Sequence, residues 1–304
     1  MTAASTLQQL TMGRCIEEFL AAQSPHWYPA IGEEATLIGC FAGLEPTDFV
    51  APHYRGRLVV MWLRGLSLVD IFRGVRGTTG SPETGRLSGL HRGSREARIL
   101  PLVTNVLGPN VPTAAGLALG CKLQRGSQVV VVSFGDGTAG LGDLHETLNL
   151  AVALRLPLVL VCQNNQYSIS TRTASTRGPQ DLSAWARAYE LPSEQVDGND
   201  VESVAGSVGE AVERARTGGG PSFVDCLTYR AAGHFVSDRG SYRPSEEVAE
   251  WAARDPVLME ARRAMAEGSL TEDDFRRLRH RCRREIEDAW EEASSRLAAQ
   301  EVSA

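Results

Sequence analysis

The chain has 304 residues, 42% hydrophobic and 22% charged, with a net charge of −6. That length and balance suit a soluble globular protein with a large core, and the acidic surplus removes any electrostatic reason to expect nucleic acid. No apolar run approaches the roughly 18 residues of a membrane span, no basic-then-apolar leader opens the chain, and six cysteines without a CxxC spacing read as free buried thiols of a reducing cytoplasm.

Residues 5–23 carry Leu7, Leu10, Met12, Ile16, Phe19 and Leu20 on one stripe and predict an amphipathic helix. Gly32-Glu33-Glu34-Ala35 opens a second helix through Leu44. Asp48 to Tyr54 reads as a short extended piece and Leu66 to Phe72 as another helix. Residues 74–102 are rich in Gly, Arg, Ser and Thr and predict a long surface loop, functional or disordered. The small residues of Val111 to Leu123 predict a helix that packs closely on a sheet. Gln128 to Phe134 (QVVVVSF) is an apolar, β-branched strand, Gly140 to Leu154 has helical periodicity, and Leu158 to Cys162 (LVLVC) is a second buried strand.

After Thr171 the chain is polar to Asp181, and Leu182 to Tyr189 reads as a helix. Val196 to Asp200 predicts a turn and cap before a helix over 201–216, which Gly218-Gly219-Gly220-Pro221 stops. Ser222 to Tyr229 is the next strand, and 231–243 a Gly- and Ser-containing loop. From Ser245 the pattern is helical and charged, ending in a helix over 271–299 with Phe275, Leu278, Ile286, Trp290 and Leu297 on a stripe. The stripes of 5–23 and 271–299 suit a subunit interface and intrachain packing equally well. The alternation predicts an α/β fold with one mostly parallel sheet flanked by helices. Residues 1–304 form a single domain, with N-terminal helices over 1–45 and a C-terminal helical extension over 245–304.

Between the two strands the chemistry concentrates. Gly135-Asp136-Gly137 follows the first and Asn164-Asn165-Gln166-Tyr167 the second, with 26 residues between them. In a parallel sheet both strand ends lie on the edge where ligands bind. An Asp carboxylate and an Asn carbonyl, completed by phosphate oxygens, suit Mg²⁺, and the flanking glycines let backbone approach a phosphate. A lone GDG is an ordinary turn; the order strand–GDG–helix–strand–NN is far more specific. It resembles the thiamine-diphosphate motif. With Glu146 and Asn149 on the helix and LRLPLVLVCQNNQYSIST after it, the chain resembles the alpha subunit of the E1 component of 2-oxo acid dehydrogenase complexes, from about Gly13 to about residue 265. That group includes pyruvate, branched-chain and acetoin dehydrogenases.

The resemblance implies a thiamine-diphosphate-binding fold and a set of roles. Asp136 and Asn165 are the side-chain ligands of Mg²⁺ and Tyr167 gives its backbone carbonyl. Gly137 and Thr138 donate N–H groups to the diphosphate beside a helix N-terminus, and Tyr54-Arg55 contacts it from PHYRGR. Asn105 and Leu107 hold the aminopyrimidine side through backbone contacts. His234, in TYRAAGHFVSDRGSYR, reaches the cofactor phosphate and assists acyl transfer. His91 matches a loop histidine of the family. Tyr28 stands where pyruvate-specific animal enzymes carry a substrate histidine, which puts pyruvate in question, and Phe235 replaces a regulatory serine.

The implied activity is decarboxylation of a 2-oxo acid and transfer of the acyl unit to the lipoyl domain of E2. A beta subunit supplies the pyrimidine-binding domain and its activating glutamate, so the chain alone is inactive and works in an α₂β₂ heterotetramer. Glu33 and Glu34 match a family motif without that role. The rival reading is transketolase-like transfer of a two-carbon ketol unit from a ketose phosphate to a lipoyl or acyl carrier protein thiol, with Arg57, Arg86, His91 and Arg92 as candidate phosphate binders. A third is a catalytically silent scaffold. Neither nucleic acid nor membrane is an expected partner.

Overall fold

The computed structural model describes residues 3–76, 91–102, 106–178 and 181–301. Asn105, Arg86 and residues 77–90 of the expected 74–102 loop lie outside the described residues. Along the chain run α1 (Ala3–Gln23), α2 (Glu34–Phe41), β1 (Phe49–Ala51), α3 (Arg57–Leu63), α4 (Leu68–Arg76), α5 (Asn110–Leu123), β2 (Val130–Gly135), α6 (Gly142–Ala153) and β3 (Leu158–Asn164). An antiparallel hairpin of β4 (Tyr167–Ser168) and β5 (Thr171–Arg172) follows. Then come α7 (Ser183–Ala188), β6 (Ser193–Asp197), α8 (Val201–Arg216), β7 (Ser222–Leu227), α9 (Ser245–Ala253), α10 (Pro256–Ala266) and α11 (Glu272–Glu301).

The main sheet has the order β1-β2-β3-β7-β6, and every neighbouring pair is parallel. A parallel sheet covered on both faces needs strands that are apolar throughout, which is what QVVVVSF and LVLVC supply. Alternate residues serve opposite cores. Val131, Val159 and Val161 face the layer of α1, α2, α8 and α11, whereas Val130, Val132 and Leu160 face α5, α6 and α7.

The two apolar stripes at the chain ends are used inside the chain. Leu10, Ile16 and Leu20 of α1 share one core with Phe275, Leu278 and Ile286 of α11. The Trp290 ring closes this junction, 5.3 Å from Phe19 and 5.4 Å from Phe72.

Several expectations needed correction. Helix α3 was not foreseen: Gly56, at φ +80°, turns the chain straight into it. Arg57, a candidate phosphate binder in the sequence, is fully buried, its guanidinium donating to the carbonyls of Pro52, Arg92 and Leu100. It thereby clasps residues 92–100 to the sheet edge, where Val50 and Ile99 form a parallel bridge. Strand β6 takes in Val196 and Asp197, the first residues of the expected turn; it is an edge strand with one neighbour. Helix α2 ends at Phe41 rather than Leu44. The cap of α8 is as expected: Asp200 accepts from the N–H groups of Glu202 and Ser203, and Gly218 follows the helix at φ +81°. The six cysteines are free and buried. No helix among the described residues is long and apolar enough to cross a membrane.

A buried acid in α1 fixes the segment leading to α2. The Glu17 Oε2 accepts from Trp27 Nε1 at 2.8 Å and from the Ala30 N–H at 3.1 Å, while Oε1 has no hydrogen-bond partner. Burial pushes its carboxyl up from 4.5 to about 7 against those two hydrogen bonds. The folded chain therefore holds a proton that the unfolded chain releases above its own, lower pKa. This contribution is complete below pH 4.5 and is lost as pH rises through about 7. Glu17→Gln imitates the protonated acid. It is expected to melt about 2–5 °C above wild type at pH 8, with the gap closing toward pH 5, in scanning calorimetry at both pH values. A gap independent of pH would separate Glu17 from that titration.

Candidate active site

All strands of the main sheet point the same way, so their C-terminal ends share one edge. Beyond that edge β1 leads into His53-Tyr54-Arg55, β2 into Asp136-Gly137, β3 into Asn165 and β7 into Tyr229–His234. These segments enclose a cavity of about 130 Å³. Its walls include Tyr54, Arg55, Leu107, Asp136, Gly137, Asn165, Tyr167 and His234, eight of the residues singled out in the sequence, together with His53, Ser168, Ile169 and Arg230.

One end of the cavity is built from oxygens. Asp136 is buried and its Oδ2 accepts from Thr173 Oγ1 at 2.6 Å. Burial pushes its carboxyl up to about 6, against the Thr173 hydrogen bond and the charge of Arg177. Asn165 lies opposite across the strand ends, equally buried. The chain turns sharply after it, with Gln166 at φ +71°, a left-handed conformation unusual for a residue with a side chain. That turn brings the Tyr167 N–H to Asn165 Oδ1 at 3.2 Å, while Asn165 Nδ2 donates to Glu33 Oε1 at 3.0 Å. A Cβ on Gly137 would stand 2.6 Å from Ser168 Oγ and 3.0 Å from its Cβ, so a side chain there would press on the hairpin. The turn itself corrects one expectation. Asp136–Thr138 is a 3₁₀ turn and α6 begins only at Gly142, so the helix N-terminus is not at Gly137 and Thr138. Thr138 is buried and is not among the residues lining the cavity.

The other end is built from cations and imidazoles. Arg55, 1% exposed, donates from Nη1 to the Pro29 carbonyl at 2.9 Å. Its Nη2 lies 3.2 Å from both Nδ1 and the carbonyl of His234. Arg230 brings Nη1 to 3.4 Å from the same Nδ1 and donates from Nη2 to the Ile169 carbonyl at 2.9 Å and the Tyr242 hydroxyl at 2.6 Å. Two guanidinium donors on one ring nitrogen make Nδ1 an acceptor and leave the proton on Nε2. Burial, then Arg55 and Arg230, push the His234 imidazole down to about 4, so the ring is neutral at physiological pH. Asp238 pins the loop by accepting from the His234 N–H at 2.6 Å and the Tyr242 hydroxyl at 2.7 Å. His53 is buried beside Tyr54, ring centroids 4.1 Å apart, with neither ring nitrogen hydrogen-bonded. Burial, then Arg55 and His234, push it down to about 3.

The remaining sequence candidates fall further out. Tyr28 stands edge-on to His234 at 5.1 Å and to Tyr54 at 5.4 Å, one layer behind the wall. His91 is half-buried and is not among the lining residues. Asn105 lies outside the described residues. His145 packs on Trp185 and meets the Tyr189 hydroxyl at 3.1 Å, away from the cavity.

Sequence reasoning gives Arg230 and His53 no role, and meets Glu33 only as part of a family motif. Arg230 carried a signal, standing four residues before His234 in TYRAAGH. The link from Glu33 to Asn165 carried none, because the two stand 132 residues apart and only the fold joins them.

The donor set fits a metal-bound diphosphate. A carboxylate and an amide carbonyl serve a hard cation, and two arginines serve phosphate oxygens. Among the described residues no group of three or more His, Cys, Asp or Glu could hold a metal, so a cation here also needs oxygens from backbone, water or the ligand.

Residues 23–301 match the family model described as dehydrogenase E1 component. The chain is 33% identical over 270 residues to the pyruvate dehydrogenase E1 component subunit alpha of Acholeplasma laidlawii, covering 88% of this chain and 75% of that one. It is 32% identical over 268 residues to the mitochondrial 2-oxoisovalerate dehydrogenase subunit alpha of Mus musculus, covering 88% and 60%. With the pyruvate dehydrogenase E1 component subunit alpha of Rhizobium meliloti the identity is 30% over 268 residues, covering 87% and 76%. The chain thus belongs to the dehydrogenase E1 component family and follows the alpha subunits of its 2-oxo acid dehydrogenases along nearly all of its length.

Proposed function

We propose that this chain is the alpha subunit of a thiamine-diphosphate-dependent 2-oxo acid dehydrogenase and that it folds as one domain. The observation that carries the reading is the convergence of Asp136, Asn165, Arg55 and His234 on one cavity at the sheet edge of a chain in this family. Asp136, Asn165 and the Tyr167 backbone carbonyl hold Mg²⁺. Gly137 and Thr138 offer N–H groups to the diphosphate, and Tyr54, Arg55 and Arg230 supply further hydrogen bonds and charge. Leu107 and Asn105 belong to the aminopyrimidine side.

When bound, the cofactor supplies the reactive carbon and the electron sink for loss of CO₂ from a 2-oxo acid. The chain contributes binding, orientation and proton handling. Arg55 and Arg230 hold the His234 ring by Nδ1, so its Nε2–H is the donor presented to the reacting groups. Tyr28 supports His234 and Tyr54 from behind and helps set which 2-oxo acid fits, while His91 belongs to the approach loop. The pyrimidine-binding half comes from a beta subunit in an α₂β₂ assembly, and the acyl acceptor is the lipoyl domain of E2. The free, buried cysteines suit a cytoplasmic home.

Ketol transfer from a ketose phosphate is less favoured. Arg57 is committed to three carbonyls, and Arg92 donates from Nη1 to the Asp70 carbonyl at 2.9 Å. Two of the arginines proposed for a sugar phosphate thus hold the fold together. The test is the chain co-expressed with its beta subunit, supplied with thiamine diphosphate and Mg²⁺. A panel of 2-oxo acids and ketose phosphates is assayed by reduction of an artificial electron acceptor. Turnover is expected with a 2-oxo acid; turnover with ketose phosphates alone would replace the dehydrogenase by the ketol-transfer reading.

A further inference from the structure

We propose that Glu33 is a positioning residue that fixes the metal-binding amide and the diphosphate-binding guanidinium together from behind the cavity wall. The inference rests on the reading of Asp136 and Asn165 as metal ligands given above. Glu33 is fully buried immediately before α2 and is not among the residues lining the cavity. Its Oε1 accepts from Asn165 Nδ2 at 3.0 Å and lies 3.6 Å from Arg55 Nε. Its Oε2 accepts from Gln163 Nε2 at 3.4 Å. One carboxylate therefore joins the start of α2, the end of β3 and the segment that follows β1.

The consequence for Asn165 is an orientation. An amide has a donor end and an acceptor end, and a cation accepts only the oxygen. Turning this amide over would replace the N–H···O contact with Glu33 by Asn165 Oδ1 facing Glu33 Oε1, one oxygen against another. With Nδ2 given to Glu33, Oδ1 keeps the Tyr167 N–H and retains a second lone pair for a metal. Partners that orient ligands in this way are worth about 10–100-fold in metal affinity.

The consequence for Arg55 is similar. Its Nη1 and Nη2 reach the Pro29 carbonyl and His234, and its Nε faces Glu33, so the guanidinium is held on three sides. Asn165, Glu33, Arg55 and His234 form one line of contacts from the oxygen-rich end of the cavity to the imidazole end.

The test uses the full chain assembled with its beta subunit. Mg²⁺ is titrated calorimetrically at fixed thiamine diphosphate in wild type, Glu33→Ala, Glu33→Gln and Asp136→Ala. Glu33→Ala is expected to weaken Mg²⁺ binding by about 10–100-fold. Glu33→Gln is expected to stay within about threefold of wild type, because the new amide still offers an oxygen to Asn165. Gln163 Oε1 has no hydrogen-bond partner, so the Gln163 amide can turn over to accept from the new NH₂ group. Rescue by glutamine but not alanine is the signature of an orienting acceptor rather than of filled space. Should the alanine variant not assemble, Glu33→Asp replaces it; one methylene shorter, it cannot span both partners and is expected to lose about tenfold.

Wild-type affinity in the alanine or aspartate variant overturns the proposal, as does a glutamine variant as weak as alanine. The Asp136→Ala arm separates the two levels. If it abolishes binding while the Glu33 variants bind normally, only the positioning role falls. If it also binds normally, the metal-site reading falls and the role of Glu33 with it.

Discussion

Asp136→Ala is expected to lower the affinity of the assembled enzyme for Mg²⁺-thiamine diphosphate by at least 100-fold and to take turnover to background. Asp136 is the one carboxylate among the described residues lining the cavity, so no neighbour can take over its charge. It sits at the C-terminal end of β2, held by a strand buried on both faces, and cannot be replaced by a small backbone shift. A hundredfold loss corresponds to about 2.7 kcal/mol, within the range for removing a charged partner from a buried site. The fold itself should survive. Burial already disfavours the ionised carboxylate, and the hydrogen bonds lost are those from Thr173 and from the backbone N–H of Asp136 itself. The melting temperature without cofactor should therefore shift by no more than a few degrees, in either direction. Calorimetric titration with thiamine diphosphate at saturating Mg²⁺ checks the affinity, and Asp136→Asn, which keeps an oxygen but not the charge, should fall between. Unchanged affinity in the alanine variant would remove Asp136 from the metal site.

How much of this was legible in the sequence follows from how local each signal is. Strands β2 and β3 were plain because a doubly covered parallel strand has one solution, an unbroken apolar run. The metal-end residues were plain for a related reason: Asp136 and Asn165 stand directly after those runs, so naming the strands placed the side chains. Edge strand β6 was hidden because a strand with one unpaired side and no fully buried residue leaves SEQVD free to be polar. Helix α3 was hidden by Arg57, whose buried guanidinium serves three carbonyls that lie 5 to 43 residues away. The cationic end was legible only in part. His234 and Arg55 stood in recognisable words, but the network that orients them runs through Glu33 and Pro29, which no local pattern connects to the site. Side chains that contact a ligand often lie beside a motif, whereas those that position them answer only to the fold.

His234→Ala should separate binding from turnover. The imidazole accepts at Nδ1 from Arg55 and Arg230, and alanine removes both contacts. Arg55 nevertheless keeps the Pro29 carbonyl and the carbonyl of residue 234, neither of which depends on the side chain. Arg230 keeps the Ile169 carbonyl and the Tyr242 hydroxyl. The two positive charges therefore stay close to their places, and cofactor affinity is expected to change by no more than about fivefold, the worth of one ordinary hydrogen bond. Turnover is a different matter. With Nδ1 occupied and the ring neutral, the Nε2–H is the donor that His234 can present, and a positioned acid–base group contributes about 10²–10⁴-fold. Turnover with a lipoylated acceptor should fall by at least about 100-fold. Phe235 and Tyr28 would still line the space behind the missing ring. Measuring affinity and turnover on the same preparation decides between roles. A large loss of affinity would make His234 a strut for Arg55, and wild-type turnover would take it out of the chemistry. The expected split, binding kept and turnover lost, leaves proton handling at Nε2 as the task of the side chain.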